Sequence, residues 1–222
     1  MGSPDQHQFA VPGHELLRVL SDREQSKLFL GRGPEGGLVA VKLEQPRTAG
    51  RLEKILARYR KLQGLTARDG FIRILGFGAL DDGWVWHSMP LADNLPGLAP
   101  LNSEDGLQHY TPLTLASWII ENGPASASQA ATWGHRICLA LGILHEAGLV
   151  HRDVKPSNLV FVNGDITLAD YGLVGEPGSE ADLIGTQGFI PLEGTSDPGA
   201  DLFALGKTLY QAFSGKDPME FP

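Results

Sequence analysis

The segment HRDVKPSN, His151 to Asn158, constrains this chain more than any other. LVFV-NG-DITL follows it, and Asn163-Gly164 between two β-rich runs is a strong hairpin signal. Before it, Ser128 to Ala147 carries apolar residues at helical spacing and is stopped by Gly148. HRDVKPSN is therefore a loop positioned by two rigid elements. It gathers a carboxylate (Asp153), an ammonium (Lys155) and an amide (Asn158) within one turn. A carboxylate can take a proton from an attacking hydroxyl. An ammonium can neutralise charge on a transferring phosphoryl group, and an amide oxygen can ligate a hard cation. Asp170, in ADYG at the far end of the hairpin, offers a second oxygen ligand for Mg2+ beside a phosphate chain.

The rest of the chain reads as two regions. His14 to Leu20, Ser26 to Leu30 and Gly37 to Glu44 read as strands. A helical period runs from about Ala49 to Leu65. FIRILGFGAL and GWVWHSMPL read as two more strands joined at Asp81-Asp82-Gly83. A stretch rich in Pro, Gly, Asn and Asp, Ala92 to Thr111, reads as a linker. Beyond it, helices are expected over Thr111–Asn122, Ser128–Ala147 and within Asp197–Gly215. The layout is α+β. A small antiparallel β-sheet lobe with one helix occupies residues 9–91, and a mostly helical lobe occupies residues 92–222. With 28 glycines and 15 prolines, turns are many.

A net charge of −8 argues against nucleic acid or an anionic membrane as the main partner. A bound phosphate remains compatible, since it needs only a local positive pocket. The single cysteine, Cys138, rules out an internal disulfide framework and a cysteine zinc cluster. Within ICLALGIL it reads as a buried structural thiol. No basic stretch followed by an apolar core opens the chain, and its longest apolar run, Ile137 to Leu144, is far too short to span a bilayer. A cytoplasmic chain with no membrane segment is expected.

HRDVKPSN, then ADYG, with VAVK (Val39 to Lys42) upstream, resembles the protein-kinase signature set in the right order. GTQGFIPLE (Gly185 to Glu193) resembles the end of an activation segment, and DLFALGKTLYQAFSGKD the central helix of the large lobe. The resemblance is closest to Hanks-type (eukaryotic-like) serine/threonine kinases of bacteria. It implies a bilobal kinase-like fold with a shortened helical lobe, ATP and Mg2+ as cofactors, and a protein substrate with a Ser or Thr acceptor. Carried over by position, it implies that Lys42 holds the α- and β-phosphates and that Asp153 is the catalytic base. Lys155 would touch the γ-phosphate, and Asn158 and Asp170 would bind Mg2+. Met89 would back the adenine pocket, with Pro90 and Leu91 as the hinge. Thr186 would line the substrate site, and Asp201 would brace the catalytic loop. Independently of the resemblance, a lysine among Val and Ala is expensive to bury unless paired, which also points to function at Lys42. His151 and Tyr171 read as packing residues.

Three departures from the family pattern stand out. Gly31, Gly33 and Gly36 spell G-x-G-x-x-G, but too close to Lys42 to be the phosphate-covering loop. Placing that loop and its second strand at Ser21 to Arg32 puts Ser21, Arg23 and Ser26 where glycines are expected. The helix acid that should pair with Lys42 is either Glu53 or missing. The large lobe is short after its central helix, so a dimer through that lobe is a possible partner state. The loop from Leu173 to Ile184, with Ser179, Glu176, Glu180 and Asp182, is expected to be held by Arg152 without modification. The leading reading is ATP- and Mg2+-dependent transfer to protein Ser/Thr hydroxyls. The alternatives are a pseudokinase, that is, a kinase-shaped binding or scaffolding module, and transfer to a small molecule.

Overall fold

The computed structural model describes residues 9–46, 52–95, 101–178 and 185–220. In chain order the elements are β1 (Glu15–Arg23), β2 (Ser26–Arg32), β3 (Leu38–Glu44), α1 (Leu52–Leu65), β4 (Gly76–Ala79) and β5 (Val85–Pro90). They continue with α2 (Glu104–His109), α3 (Leu115–Asn122), α4 (Ala127–Glu146), β6 (Leu159–Val162), β7 (Asp165–Leu168) and α5 (Pro198–Ser214). The chain divides into two compact units. One holds the described residues of Met1–Ala67, Arg73–Leu91 and Leu98–Thr111, the other those of Arg68–Ile72, Ala92–Gly97 and Pro112–Pro222.

The first unit is an antiparallel five-stranded sheet in the order β1-β2-β3-β5-β4, with α1 packed on β4 and β5. Alternation along β2 and β3 sends Phe29, Val39, Val41 and Leu43 into one core with Phe9, Val11 and Trp86. Helix α1 buries Tyr59 and Leu62 and turns its charged face outward. The β1–β2 hairpin closes on Glu24-Gln25, between the paired residues Arg23 and Ser26, and Asp22 and Lys27 form an ion pair across it. Gly33 and Gly36 instead make the β2–β3 turn, where the Gly36 N–H donates to the Gly33 carbonyl at 2.9 Å.

Three element boundaries differ from expectation. FIRILGFGAL yields only the four-residue β4. The Ile74 N–H is taken by Thr66 Oγ1 at 3.1 Å and the Leu75 N–H by the Ser88 carbonyl, so the backbone before Gly76 bonds outside a regular ladder. The stretch read as linker contains α2, whose Ser103 cap accepts from the Gly106 N–H at 3.0 Å and whose first turn is acidic. Helix α3 starts not at Thr111-Pro112 but after Thr114, which forms a reciprocal capping box with Ser117.

The second unit is built around α4, whose buried stripe comprises Ala130, Trp133, Gly134, Ile137, Ala140, Leu141 and Leu144. Helix α5 packs on it, as does the β6–β7 hairpin. Cys138 corrects the reading of a buried thiol, because it is exposed. It lies one residue beyond Ile137, about 100° around the helix from the buried stripe. Among the described residues no helix is long and apolar enough to cross a membrane.

Candidate active site

The β6–β7 hairpin positions two of the candidate residues. Asn163 and Gly164 both take positive φ (53° and 81°), the conformation that suits a two-residue hairpin turn. The Asp93 carboxylate fixes the turn by accepting from both of their N–H groups at 2.8 Å. From that turn the ladder runs back to Leu159 opposite Leu168. One step further, the Ala169 N–H donates to the Asn158 carbonyl at 2.9 Å. The open end of the hairpin thus brings together Asn158, just before β6, and Ala169, just after β7 and next to Asp170.

The side chains of the HRDVKPSN loop and Thr186 converge on Asp153. Lys155 Nζ donates to Asp153 Oδ2 at 2.7 Å and to Thr186 Oγ1 at 2.6 Å, and Thr186 Oγ1 donates to Asp153 Oδ1 at 2.7 Å. Asn158 Nδ2 donates to both the carbonyl and Oδ2 of Asp153, each at 2.8 Å. Asp153 is buried, at 9% exposure, with its negative charge satisfied by these donors. The Asn158 amide directs its nitrogen to Asp153, which leaves Oδ1 as the atom able to meet a cation.

Asp201, in the first turn of α5, holds the loop from beneath. It is fully buried and accepts from the His151 N–H (2.8 Å), the Arg152 N–H (2.7 Å) and His145 Nε2 (2.8 Å). Arg152 takes φ +70° and Asp170 φ +63°, two of the three non-glycine residues with positive φ among those described. Such backbone strain persists only where surrounding contacts enforce it, and it concentrates at functional loops. Arg152 Nη2 also donates to the Glu176 carbonyl at 2.6 Å. Ser179, Glu180 and Asp182 lie outside the described residues.

His151 and Tyr171 are packing residues, as expected. His151 Nδ1 accepts from the Asp153 N–H at 3.4 Å and Nε2 donates to the Ala169 carbonyl at 3.2 Å, so the ring is neutral with its proton on Nε2. Complete burial pushes its pKa below the usual histidine value, against the pull of Asp201, Asp170 and Asp153. The buried Tyr171 hydroxyl donates to the Ile72 carbonyl at 2.6 Å. Burial also raises its pKa well above the ordinary phenol, so it stays a donor.

In the first unit, Lys42 stands on β3 between Leu28 of β2 and His87 of β5. Glu53 is exposed on α1, and the acid that meets Lys42 in this unit is Glu44, with Nζ 3.0 Å from Oε1. Glu44 was legible in VAVKLE as an acid two residues along the same strand, hence on the same face. Met89 is buried opposite Ala40, and Pro90 ends β5 opposite Val39, with Leu91 closing that segment of the unit. Ser21 and Arg23 lie on the last turn-ward residues of β1. Among the described residues no cluster of three His, Cys, Asp or Glu could hold a metal by itself. Asn158 Oδ1 with the Asp170 carboxylate still suits Mg2+, which binds through few protein oxygens when phosphates supply others.

An antiparallel five-stranded sheet with one helix, and a helical unit carrying Asp153, Lys155 and Asn158 ahead of a hairpin, define a protein kinase. Residues 107–221 match the protein kinase domain model, more than half of the chain, and the chain belongs to that family. It is 35% identical over 115 residues to the serine/threonine-protein kinase PknL of Mycobacterium tuberculosis, covering 47% of this chain and 29% of that protein. It is 37% identical over 112 residues to a probable serine/threonine-protein kinase of Corynebacterium efficiens, covering 45% and 17%. A 3-phosphoinositide-dependent protein kinase 1 of Arabidopsis thaliana is 36% identical over 121 residues, covering 46% and 25%. The matched stretches therefore span less than a third of these relatives' length.

Proposed function

We propose that this chain transfers the γ-phosphoryl group of ATP, with Mg2+, to Ser or Thr hydroxyls of proteins in the cytoplasm. The observation that carries the reading is the Asp153 carboxylate, held at once by Lys155, Asn158 and Thr186. Asp153 orients the acceptor hydroxyl and takes its proton as the hydroxyl oxygen bonds to the γ-phosphorus. The bond from that phosphorus to the β-phosphate oxygen breaks, and ADP leaves with the electron pair. Lys155, within 2.7 Å of Asp153, stabilises negative charge on the transferring group. Lys42 binds the α- and β-phosphates. Met89 backs the adenine, which bonds to the hinge at Pro90 and Leu91; Pro90 lacks an N–H but keeps an accepting carbonyl. Asn158 and Asp170 would hold Mg2+, which supplies neutralisation of phosphate charge.

The test is transfer of labelled phosphate from ATP to a generic protein acceptor, with Asp153→Ala and Lys42→Ala in parallel. Loss in both variants supports the reading. The second reading, a pseudokinase, is favoured by one observation: the β1–β2 hairpin closes on Glu24-Gln25 without a glycine, so a close backbone approach to phosphate is harder. Wild-type transfer no greater than that of the variants would establish that second reading.

A further inference from the structure

We infer that Glu44 is the residue that positions Lys42 for phosphate binding, and that it couples Lys42 to α1. The inference rests on the phosphoryl-transfer reading of Lys42. Both residues lie on one face of β3, two positions apart, and both side chains are mostly buried, at 12% and 14% exposure. One carboxylate oxygen of Glu44 meets Lys42 Nζ at 3.0 Å. The other accepts from the Tyr59 hydroxyl at 3.1 Å and lies 3.7 Å from Arg58 Nη2. The carboxylate is thus shared between a strand lysine and a helix, one oxygen facing each.

Tyr59 is a rigid donor in this arrangement. It is fully buried, its ring lies 4.7 Å from that of His87, which pairs with Lys42 across the sheet, and it stacks on Phe77 of β4 at 6.0 Å. The acid therefore comes from the strand, and α1 contributes a phenol and a guanidinium. Two consequences follow physically. The spacing of Lys42 to its acid is set by strand geometry and does not require α1 to swing inward. A shift of α1 is felt at Lys42 through the second carboxylate oxygen, because a carboxylate is planar and its oxygens move together.

The test compares Glu44→Gln, Glu44→Asp, Tyr59→Phe and Glu53→Gln in the full chain, each checked for folding by thermal melting. In steady-state transfer assays, Glu44→Gln is expected to lower kcat/KM for ATP at least tenfold without a matching change in KM for the protein acceptor. Tyr59→Phe should lower it several-fold, and Glu44→Asp should recover part of the loss. The rival arrangement, in which Glu53 serves, requires the reverse order, and a larger loss at Glu53→Gln than at Glu44→Gln overturns the inference. A second readout separates its failure from that of the proposed function. The Lys42 ammonium is followed by 13Cε NMR through an alkaline titration, a measurement that needs no activity. Loss of the paired carboxylate in Glu44→Gln should lower the Lys42 midpoint by half a pH unit or more, whether or not the chain transfers phosphate. An unchanged midpoint overturns the inference.

Discussion

Replacing Asp201 by Ala is expected to destabilise the second unit by about 3 kcal/mol. The carboxylate accepts three hydrogen bonds, two of them from backbone N–H groups of residues that are 0% and 7% exposed. Each buried donor left without an acceptor costs about 1–3 kcal/mol. His145, at 15% side-chain exposure, can turn to water and adds little. Against these stands relief at Arg152, whose φ of +70° stores about 1–3 kcal/mol and is held there by the bond to Asp201. The two buried donors dominate. Urea unfolding followed by tryptophan fluorescence, which reports Trp118 and Trp133 in this unit, measures the effect. With an m-value of about 2–3 kcal/mol per molar, the midpoint should fall by about 1 M. His145→Gln should move it by less than about 0.3 M, since water replaces the lost partner. A midpoint for Asp201→Ala within about 0.3 M of wild type would refute the role assigned to this carboxylate.

Thr186→Val removes the donor to Asp153 Oδ1 and the acceptor of Lys155, bonds that involve charged groups. Transfer kinetics should show kcat lower by about 10–100-fold, with Thr186→Ser recovering most of it. Burial holds the folded pKa of His151 below its unfolded value, so the unfolded chain binds more protons as pH falls below about 6.5. The stability contributed by neutral His151 is therefore present above that pH and lost below it, with a slope of up to about 1.4 kcal/mol per pH unit. Urea midpoints across pH 5–8 should show this slope reduced in His151→Gln. Gly70 takes φ +86°, and a β-carbon there would lie 2.9 Å from the Ala140 β-carbon and 3.1 Å from the Arg136 carbonyl oxygen. Gly70→Ala should therefore lower stability by about 1–3 kcal/mol in the same assay, where Gly148→Ala, at positive φ with nothing within 4 Å, should cost less.

The parts of the fold that were legible in the sequence are those written in local chemistry. Asn163-Gly164 fixed the hairpin because only a few residue pairs adopt two successive positive φ angles. Asp197-Pro198 and Gly215 bounded α5 because a carboxylate cap and a left-handed glycine are end signals with a mechanism. Cys138 was misread because an apolar run carries no phase: Ile137 and Cys138 look alike in sequence and differ by the rotation of one residue. The Glu44 partner of Lys42 was missed for a related reason. The search for an acid looked only along the helix, while strand alternation had already set Glu44 on the face of Lys42. The sharing of Asp153 among Lys155, Asn158 and Thr186 was only half visible, since Thr186 comes from a segment whose approach depends on tertiary folding.

The hairpin and the Asp201 brace also differ in when they can form. The hairpin closes over a two-residue turn, a step of about 1–10 μs, and its closure alone sets Asn158 near Asp170. The loop before it is pinned by a residue some fifty positions later in the chain, so its register waits on a long-range encounter. The end of the hairpin that carries Asn158 and Ala169 is thereby assembled early, and the loop that carries Asp153 late. A lesion at Asn163 should slow folding, whereas one at Asp201 should chiefly hasten unfolding.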